Sequence, residues 1–299
     1  MVGDLIDMVA FASIAETGSL SAAARKLSLS LAVVSRRLSR LESRLGMRLV
    51  NRTTRRLSLT DEGTAFYARC ARILSDIEEA ELEVTRGRET ASGLLRVTST
   101  VAFGRRTLAP LLVEFQRMHE GLQIHLHSSD TIENIVDAGY DLAVRFGALP
   151  DSSLVARQLA PNIRIICAAP SYLERCGRPA AVEDLLRHDC IAFGNPILDH
   201  WTFANGETIK VKGVLTSNDG ETAHAWALQG AGLILKSIWD VADDLRTGRL
   251  VTVLSQFPLP ASPIHAVYPH SRHAAAKVRL CVDFLAQKLR RIGLPHAGI

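Results

Sequence analysis

SLSAAARKLSLSLAVVSRRLSRLE, residues 19–42, holds two helical periodicities separated by a short serine-bearing turn. Val34, Leu38, Leu41 and Leu45 recur in steps of four, three and four, which is one stripe of a helix over 32–45. Ala32, Ser35, Arg36, Ser39, Arg40 and Ser43 fall on the opposite side. A solvated helix face usually mixes Glu with Lys. This one offers small polar residues and arginines, with Glu42 the one acid, near the stripe's edge. Small side chains let a helix approach a surface closely, and arginine matches phosphates and guanine edges. Upstream, Ser19 or Ser21 is placed to cap a short helix running through Leu27. Ala22, Ala23 and Ala24 are small enough for a close helix crossing. Ser28, Leu29 and Ser30 make the turn, with Ser30 capping the second helix. Such a pair predicts a helix-turn-helix whose second helix enters the major groove of DNA. A plain helical hairpin with a basic, solvated face is the competing reading.

The flanks favour the first reading. Leu5, Met8, Val9, Ala12 and Ala15 recur at helical spacing, which predicts a preceding helix and a three-helix core. After Gly46, Leu49 and Val50 and then Leu57 and Leu59 read as two short strands around a basic tip at residues 51–56. This is a wing, in which Arg52, Arg55 and Arg56 can straddle backbone phosphate or the minor groove. Charge supports the assignment. The net charge is only +4, but residues 1–60 carry ten basic against four acidic residues, while residues 61–90 carry four against eight. A basic N-terminal segment points to a polyanion partner.

Thr60 can cap a further helix, with Asp61 and Glu62 opposing its dipole. Along it Phe66, Cys70, Ile73, Ile77, Ala80 and Val84 form a heptad-like seam. A dimer seam suits a reader of two-fold operators. Packing of this helix on its own domain is the alternative. Residues 87–93, GRETASG, read as a hinge.

At this point the residues resemble a known family. F-x-x-I-A-E-T-G-S-L-S-A-A-A-R-K-L, then V-S-R-R-L-S-R-L-E-x-x-L-G-x-R-L-V-x-R, then L-S-L-T-D-E-G are similar to the LysR-type transcriptional regulators, and the likeness continues at G-Y-D-L-A-V-R-F-G. The resemblance implies a multidomain chain: a winged helix-turn-helix over 3–60 (its motif at 20–39), a linker and dimerisation helix with its hinge over 61–90, and an effector-binding domain over 91–299. That last domain would be two-lobed α/β, like a periplasmic binding protein, with lobe I at 91–161 plus 265–299 and lobe II at 162–264. Ser35 and Arg36 match recognition-helix positions that touch DNA, and Arg52 and Arg55 match the wing. The expected DNA-contacting set is Ser30, Ala32, Val33, Ser35, Arg36, Arg40, Arg52, Arg55 and Arg56. Leu31 departs from the pattern, because many members carry a glutamine there. Leucine cannot donate a hydrogen bond but can touch a thymine methyl, so the departure bears on the operator sequence.

From residue 94 the patterning changes. LLRV, LQIHL and DLAVRF read as strands, with helices between them around residues 108–115 and 131–139. This alternation predicts a parallel sheet. It repeats with RIICAA, a helix near 183–187, IAF, a helix near 221–229 and LIL; a helix near 238–247, IHAVY and a helix over 274–290 close the chain. Ligands of open α/β sheets bind beyond the C-terminal strand ends. That rule selects Thr98, Ser99, Thr100 and Phe103, then Ser128, Ser129 and Asp130, then Arg145, Phe146 and Gly147, and from the second lobe Phe193, Trp201, Phe203 and Asn218. The mix suits a small organic acid. For each residue, loop capping or core packing is the alternative role.

Other classes fare poorly. There is no GxSxG, no P-loop and no GxGxxG after a strand, so an enzyme is not expected. Cys70, Cys167, Cys176, Cys190 and Cys281 include no CxxC, and His125, His127, His265 and His270 gather no ligand set, so neither disulfide, metal nor cofactor is expected. A stand-alone binding protein with an accessory helical domain would lack salt-steep DNA affinity. The start lacks a basic n-region, Asp4 and Asp7 interrupt it, and no apolar run approaches the ~20 residues of a span, so a cytoplasmic chain without a membrane partner is expected. The expected partners are a double-stranded operator, copies of itself in a homodimer or homotetramer, RNA polymerase and a small effector.

Overall fold

The computed structural model describes residues 2–52, 57–86, 91–131, 133–147, 154–269 and 275–295. They divide into two compact units, Met1–Gly87 and Arg88–Ile299.

The first unit contains α1 (Val2–Thr17), α2 (Leu20–Lys26), α3 (Leu31–Leu45), β1 (Val50–Arg52), β2 (Leu57–Leu59) and α4 (Asp61–Arg86). Ser19 caps α2 by accepting the Ala22 N–H at 3.3 Å. Ser28 takes a left-handed φ of 54°, and the Leu29 N–H returns to the Ala24 carbonyl at 2.9 Å. Ser30 then caps α3 by accepting the Val33 N–H at 3.3 Å, and Gly46 ends it at φ 69°. The core gathers Phe11, Ile14, Ala23, Val34, Leu38, Leu41 and Leu49. β1 and β2 pair antiparallel, Val50 opposite Leu59. Arg55 and Arg56, expected at the wing tip, and the side chains of Arg52, Ala80 and Val84, lie outside the described residues. The Thr60 hydroxyl accepts the Gly63 N–H and donates to the Arg48 carbonyl, both at 2.9 Å. A Cβ on Gly63 would lie 2.0 Å from the Leu49 carbonyl oxygen, so only glycine allows α4 this close to the strand.

The seam expected along α4 is corrected at its start. Cys70 is fully buried within a single chain, and Phe66 packs on Phe11 with ring centroids 5.7 Å apart. Both belong to their own domain's core. Ile73 is the first of the series to stand open, 43% exposed.

The second unit has two lobes. In lobe I, β3 (Gly93–Ser99) leads into α5 (Val101–Phe103), a π-helical turn at Gly104–Leu108 and α6 (Ala109–Arg117). Then follow β4 (Leu122–Ser128), α7 (Ile135–Ala138), β5 (Leu142–Phe146) and β6 (Leu154–Ala160). In lobe II come β7 (Arg164–Ala168), α8 (Pro170–Cys176), a 3-10 helix (Val182–Arg187), β8 (Cys190–Phe193), the hairpin β9 (His200–Thr202) and β10 (Thr208–Lys210), and β11 (Gly213–Ser217). α9 (Gly220–Leu228), β12 (Leu233–Ser237), α10 (Ile238–Arg246) and β13 (Val251–Val253) complete it. The chain returns to lobe I as β14 (Ile264–Pro269) and α11 (Ala276–Ile292).

The sheet orders are β4-β3-β5-β14-β6 and β11-β8-β12-β7-β13. Parallel pairing holds where helices make the crossovers, β3 with β4 and β5, and β8 with β11 and β12. The expectation of parallel sheets is otherwise corrected, because both sheets are mixed. β14 runs antiparallel to β5 and β6, and β7 to β12 and β13. These four strands, β6, β7, β13 and β14, carry the chain between the lobes without a helical crossover, which parallel neighbours need. The helix expected over 131–139 shrinks to α7, capped by Asn134 and stopped by Gly139 at φ 77°. The helix near Leu108 begins earlier, at Val101. Lobe I's core includes Leu95, Phe103, Phe115, Leu142, Val278 and Leu285, joined by Ile238 and Trp239 of α10. Among the described residues no single helix is long and apolar enough to cross a membrane.

Candidate functional site

On α3, Ala32, Arg36, Ser39, Arg40 and Ser43 are exposed, as is Leu31 at 49%. Ser35 and Val33 are half-buried beside them. Ser30 spends its hydroxyl oxygen on the helix cap. Arg40 differs from the rest. Its Nε and Nη2 donate to Asp7 Oδ2 at 2.6 Å and Oδ1 at 2.8 Å. Asp7 is buried, and its hydrogen bond and charge raise the Arg40 pKa above the usual guanidinium value. Arg40, one of the residues expected at the DNA, forms a fork that ties α3 to α1. The signal was available, since Asp7 falls among the apolar residues Leu5, Ile6, Met8 and Val9. Glu42 is also structural: Oε1 accepts the N–H groups of Leu49 at 2.9 Å and Val50 at 3.2 Å. The one acid of α3 thus anchors the wing strand, and the outward face keeps its small polar and basic character.

The second unit holds a cavity of about 860 Å³ between its lobes, the size of a small-ligand site. Of the expected residues, Thr100, Arg145, Phe146, Phe193 and Trp201 line it. Thr98 and Ser99 do not; both are fully buried on β3. Phe103 is a core wedge, edge-on to Phe146 at 5.3 Å and to Trp239 at 5.8 Å. Ser129 turns back, its N–H on the Ser99 carbonyl at 2.9 Å and its Oγ accepting the Thr131 N–H at 3.1 Å. Ser128 and Asn218 are exposed away from the lining, and Phe203 is buried in the lobe II core.

Several residues of the wall carried no sequence signal. Glu133, Asn162, Arg164, Lys236, Ser237 and Asp240 line the cavity with Asp130. Asp130 bridges the lobes, Oδ1 accepting the Val101 N–H at 3.0 Å and Oδ2 the Gly220 N–H at 2.7 Å. A Cβ on Gly220 would meet Phe193, Asp130 and Lys236 at 3.1–3.3 Å, so a glycine keeps this contact short. The buried Lys236 ammonium lies 3.0 Å from Asp240 Oδ2, donates to the Gly220 carbonyl at 3.3 Å and sits 4.8 Å over the Phe193 ring.

A second tie between the lobes lies outside the cavity. Arg106 Nη2 donates to both Glu221 oxygens at 2.9 and 3.2 Å, and Nη1 to the Asp240 carbonyl at 3.0 Å. Burial alone would raise the Glu221 carboxyl, but the Arg106 hydrogen bond and charge hold it below the usual range. Behind it, buried His224 lies with Nε2 2.8 Å from Asp244 Oδ2. Burial, then the charge of Lys236, push its pKa down against the pull of Asp244.

Among the described residues no three His, Cys, Asp or Glu side chains gather as for a metal. Burial pushes the thiol of Cys70 up to about 11 and those of Cys167 and Cys190 up to about 12, and raises that of Cys281. Cys176 is exposed. The four buried thiols are thereby kept protonated.

Comparison with known proteins matches both units. Residues 5–64 match the family described as bacterial regulatory helix-turn-helix protein, lysR family. Residues 88–290 match the LysR substrate binding domain. The HTH-type transcriptional regulator DmlR of Escherichia coli (strain K12) is 37% identical over 290 residues, covering 95% of this chain and 94% of that protein. The HTH-type transcriptional activator TtdR of the same strain is 35% identical over 298 residues, covering 98% and 96%. Among solved structures, CrgA of Neisseria meningitidis aligns with TM-score 0.62 and 34% identity over 95% of this chain and 98% of its own. The Vibrio cholerae virulence activator AphB aligns with TM-score 0.60 and 30% identity, again over 95% and 98%. With both domains matched, and with the exposed reading helix and interlobe cavity in place, the chain belongs to the LysR family of helix-turn-helix transcriptional regulators, with a DNA-binding domain and an effector-binding domain.

Proposed function

We propose that this regulator binds a two-fold operator and that a small organic acid in the interlobe cavity sets its affinity for that DNA. The observation that carries the reading is the cavity itself: it lies between lobes that Asp130 joins across its wall, so a ligand there acts on both lobes at once. Such linkage is worth about 1–3 kcal/mol between ligand and DNA. Ala32, Ser35 and Arg36 supply base contacts, Ser30 and Val33 shape the approach, and Arg52, Arg55 and Arg56 hold phosphate. Pairing of chains runs along α4 from Ile73 and Ile77 towards Val84, giving a dimer or tetramer. The protein acts in the cytoplasm, engages RNA polymerase at the promoter and performs no chemistry on its ligand.

The test is a titration of the full chain against its own upstream intergenic DNA and a scrambled duplex at two salt concentrations. Protection of one two-fold site that survives higher salt is expected. Equal binding to both duplexes that vanishes as salt rises would leave only the sequence-independent phosphate attraction.

A further inference from the structure

Three strong cations line the cavity, and they differ in what balances them. Lys236 is paired with Asp240 at 3.0 Å. Among the described residues Arg145 makes no ion pair, and its Nη2 is sealed from solvent without a hydrogen-bond partner, but the charges of Glu133, Tyr140 and Asp130 offset its burial. Arg164 has neither. It opens β7, where it pairs through its backbone with Ser237. Its Nε is sealed from solvent without a hydrogen-bond partner. No acid offsets its burial, which alone lowers its pKa. Neighbouring polar groups of the wall are already satisfied. Ser237 Oγ donates to Asn162 Oδ1 at 2.6 Å and accepts the Trp239 N–H at 3.2 Å, and Asn162 Nδ2 donates to the Ser262 carbonyl at 2.8 Å.

A half-buried charge without a counter-charge carries a desolvation cost, and an anion that pairs with it offsets that cost. We propose that Arg164 is the anion anchor of the cavity, pairing with the carboxylate of a small acid and seating that end on lobe II. Arg145, its burial partly offset by Glu133, Tyr140 and Asp130, orients the uncharged part of the same molecule from lobe I. The walls between them are apolar at Ile191, Phe193, Trp201 and Leu235, so the body of the acid is compact and largely apolar. This assignment rests on the reading of the cavity as an effector site, and it gives the charge recognition to a residue outside the set expected from the sequence.

The experiment uses the full chain and three substitutions, Arg164→Met, Arg164→Lys and Arg145→Met. Without ligand, Arg164→Met is expected to melt at or above the wild-type temperature, because it removes an uncompensated charge at nearly constant volume. A fall in melting temperature as large as that of Arg40→Ala would make Arg164 a structural residue and overturn the proposal. Acetate, succinate and benzoate are then titrated against acetamide, succinamide and benzamide, reading the melting temperature and the tryptophan emission to which Trp201 contributes. At least one acid is expected to bind more tightly than its amide. Arg164→Met should weaken that acid about ten- to a hundredfold, the worth of a charged hydrogen-bonded pair, with Arg164→Lys retaining part of it. Arg145→Met should weaken acid and amide alike. Equal binding of acid and amide, unchanged binding in Arg164→Met, or no stabilisation by any of the three acids each overturns the anchor. Operator affinity is measured with and without the bound acid. An acid held by Arg164 that leaves DNA affinity unchanged would keep the anchor and sink the effector reading instead.

Discussion

α3 shows its polar groups outward at the spacing of one helix, whereas the cavity assembles its polar wall from distant parts of the chain. On α3 the exposed series Ala32, Arg36, Ser39, Ser43 advances by four, three and four. In the second unit, Asp130 meets Gly220 ninety positions away, and Arg106 meets Asp240 after 134. A surface built from one helix is written in local periodicity. A cavity built between two sheets is written in the pairing of strands, and that is settled only when the whole chain folds.

The strongest way to test this contrast is Phe103→Ala. Local reading put Phe103 at the ligand; the fold puts it at 1% exposure between Phe146 and Trp239. The substitution should cost about 3–5 kcal/mol of stability in denaturant unfolding. Normal unfolding with loss of ligand response alone would return Phe103 to the cavity. Next comes a paired test on α3. Arg36→Ala should lose about 1–3 kcal/mol at the operator and relax one base preference, with melting unchanged. Arg40→Ala should do the reverse in kind, lowering the melting temperature because it leaves buried Asp7 without its fork. Equal behaviour of the two variants would erase the distinction drawn between them.

Asp130→Ala should have a similar or smaller effect, about 1–3 kcal/mol, the worth of hydrogen bonds to a charged group. Its signature is location. Hydrogen exchange should quicken together at the segments beginning with Val101 and Gly220, one in each lobe. Faster exchange at only one of them would mean that Asp130 caps a helix and does not join the lobes. The smallest effect concerns His224. Its folded pKa lies below the ordinary 6.5, so the unfolded chain takes up a proton first as pH falls. Its contribution to stability is full above about 6.5 and declines below it, with Lys236, Arg106, Glu221 and Asp244 the charges that face it. Melting curves from pH 7.5 to 5.5 should therefore slope less in His224→Gln than in the wild type. Identical slopes would show that His224 takes no part.

Much of the architecture was legible. Ser19 and Ser30 cap the helices their positions suggested, and the stripe Val34, Leu38, Leu41 is buried. The βαβ runs in both lobes pair parallel. What escaped has a common cause. β6 and β13 are strands whose direction depends on the crossing between lobes, which no local pattern records. Arg164 looked like one polar residue at the edge of an apolar strand; its isolation appears only when Asn162 and Ser237 have found each other. Cys70 and Phe66 kept the heptad spacing of a seam, yet the same spacing serves a helix packed on its own domain, and burial decided between the two.

Gly63 gives the long helix a mechanical role. With the Leu49 carbonyl pressed against its backbone and Thr60 bonded to Arg48, the first turn of α4 and the root of the wing form one rigid joint. The 26-residue helix therefore starts from the root of the wing, and a side chain at position 63 would push the two apart.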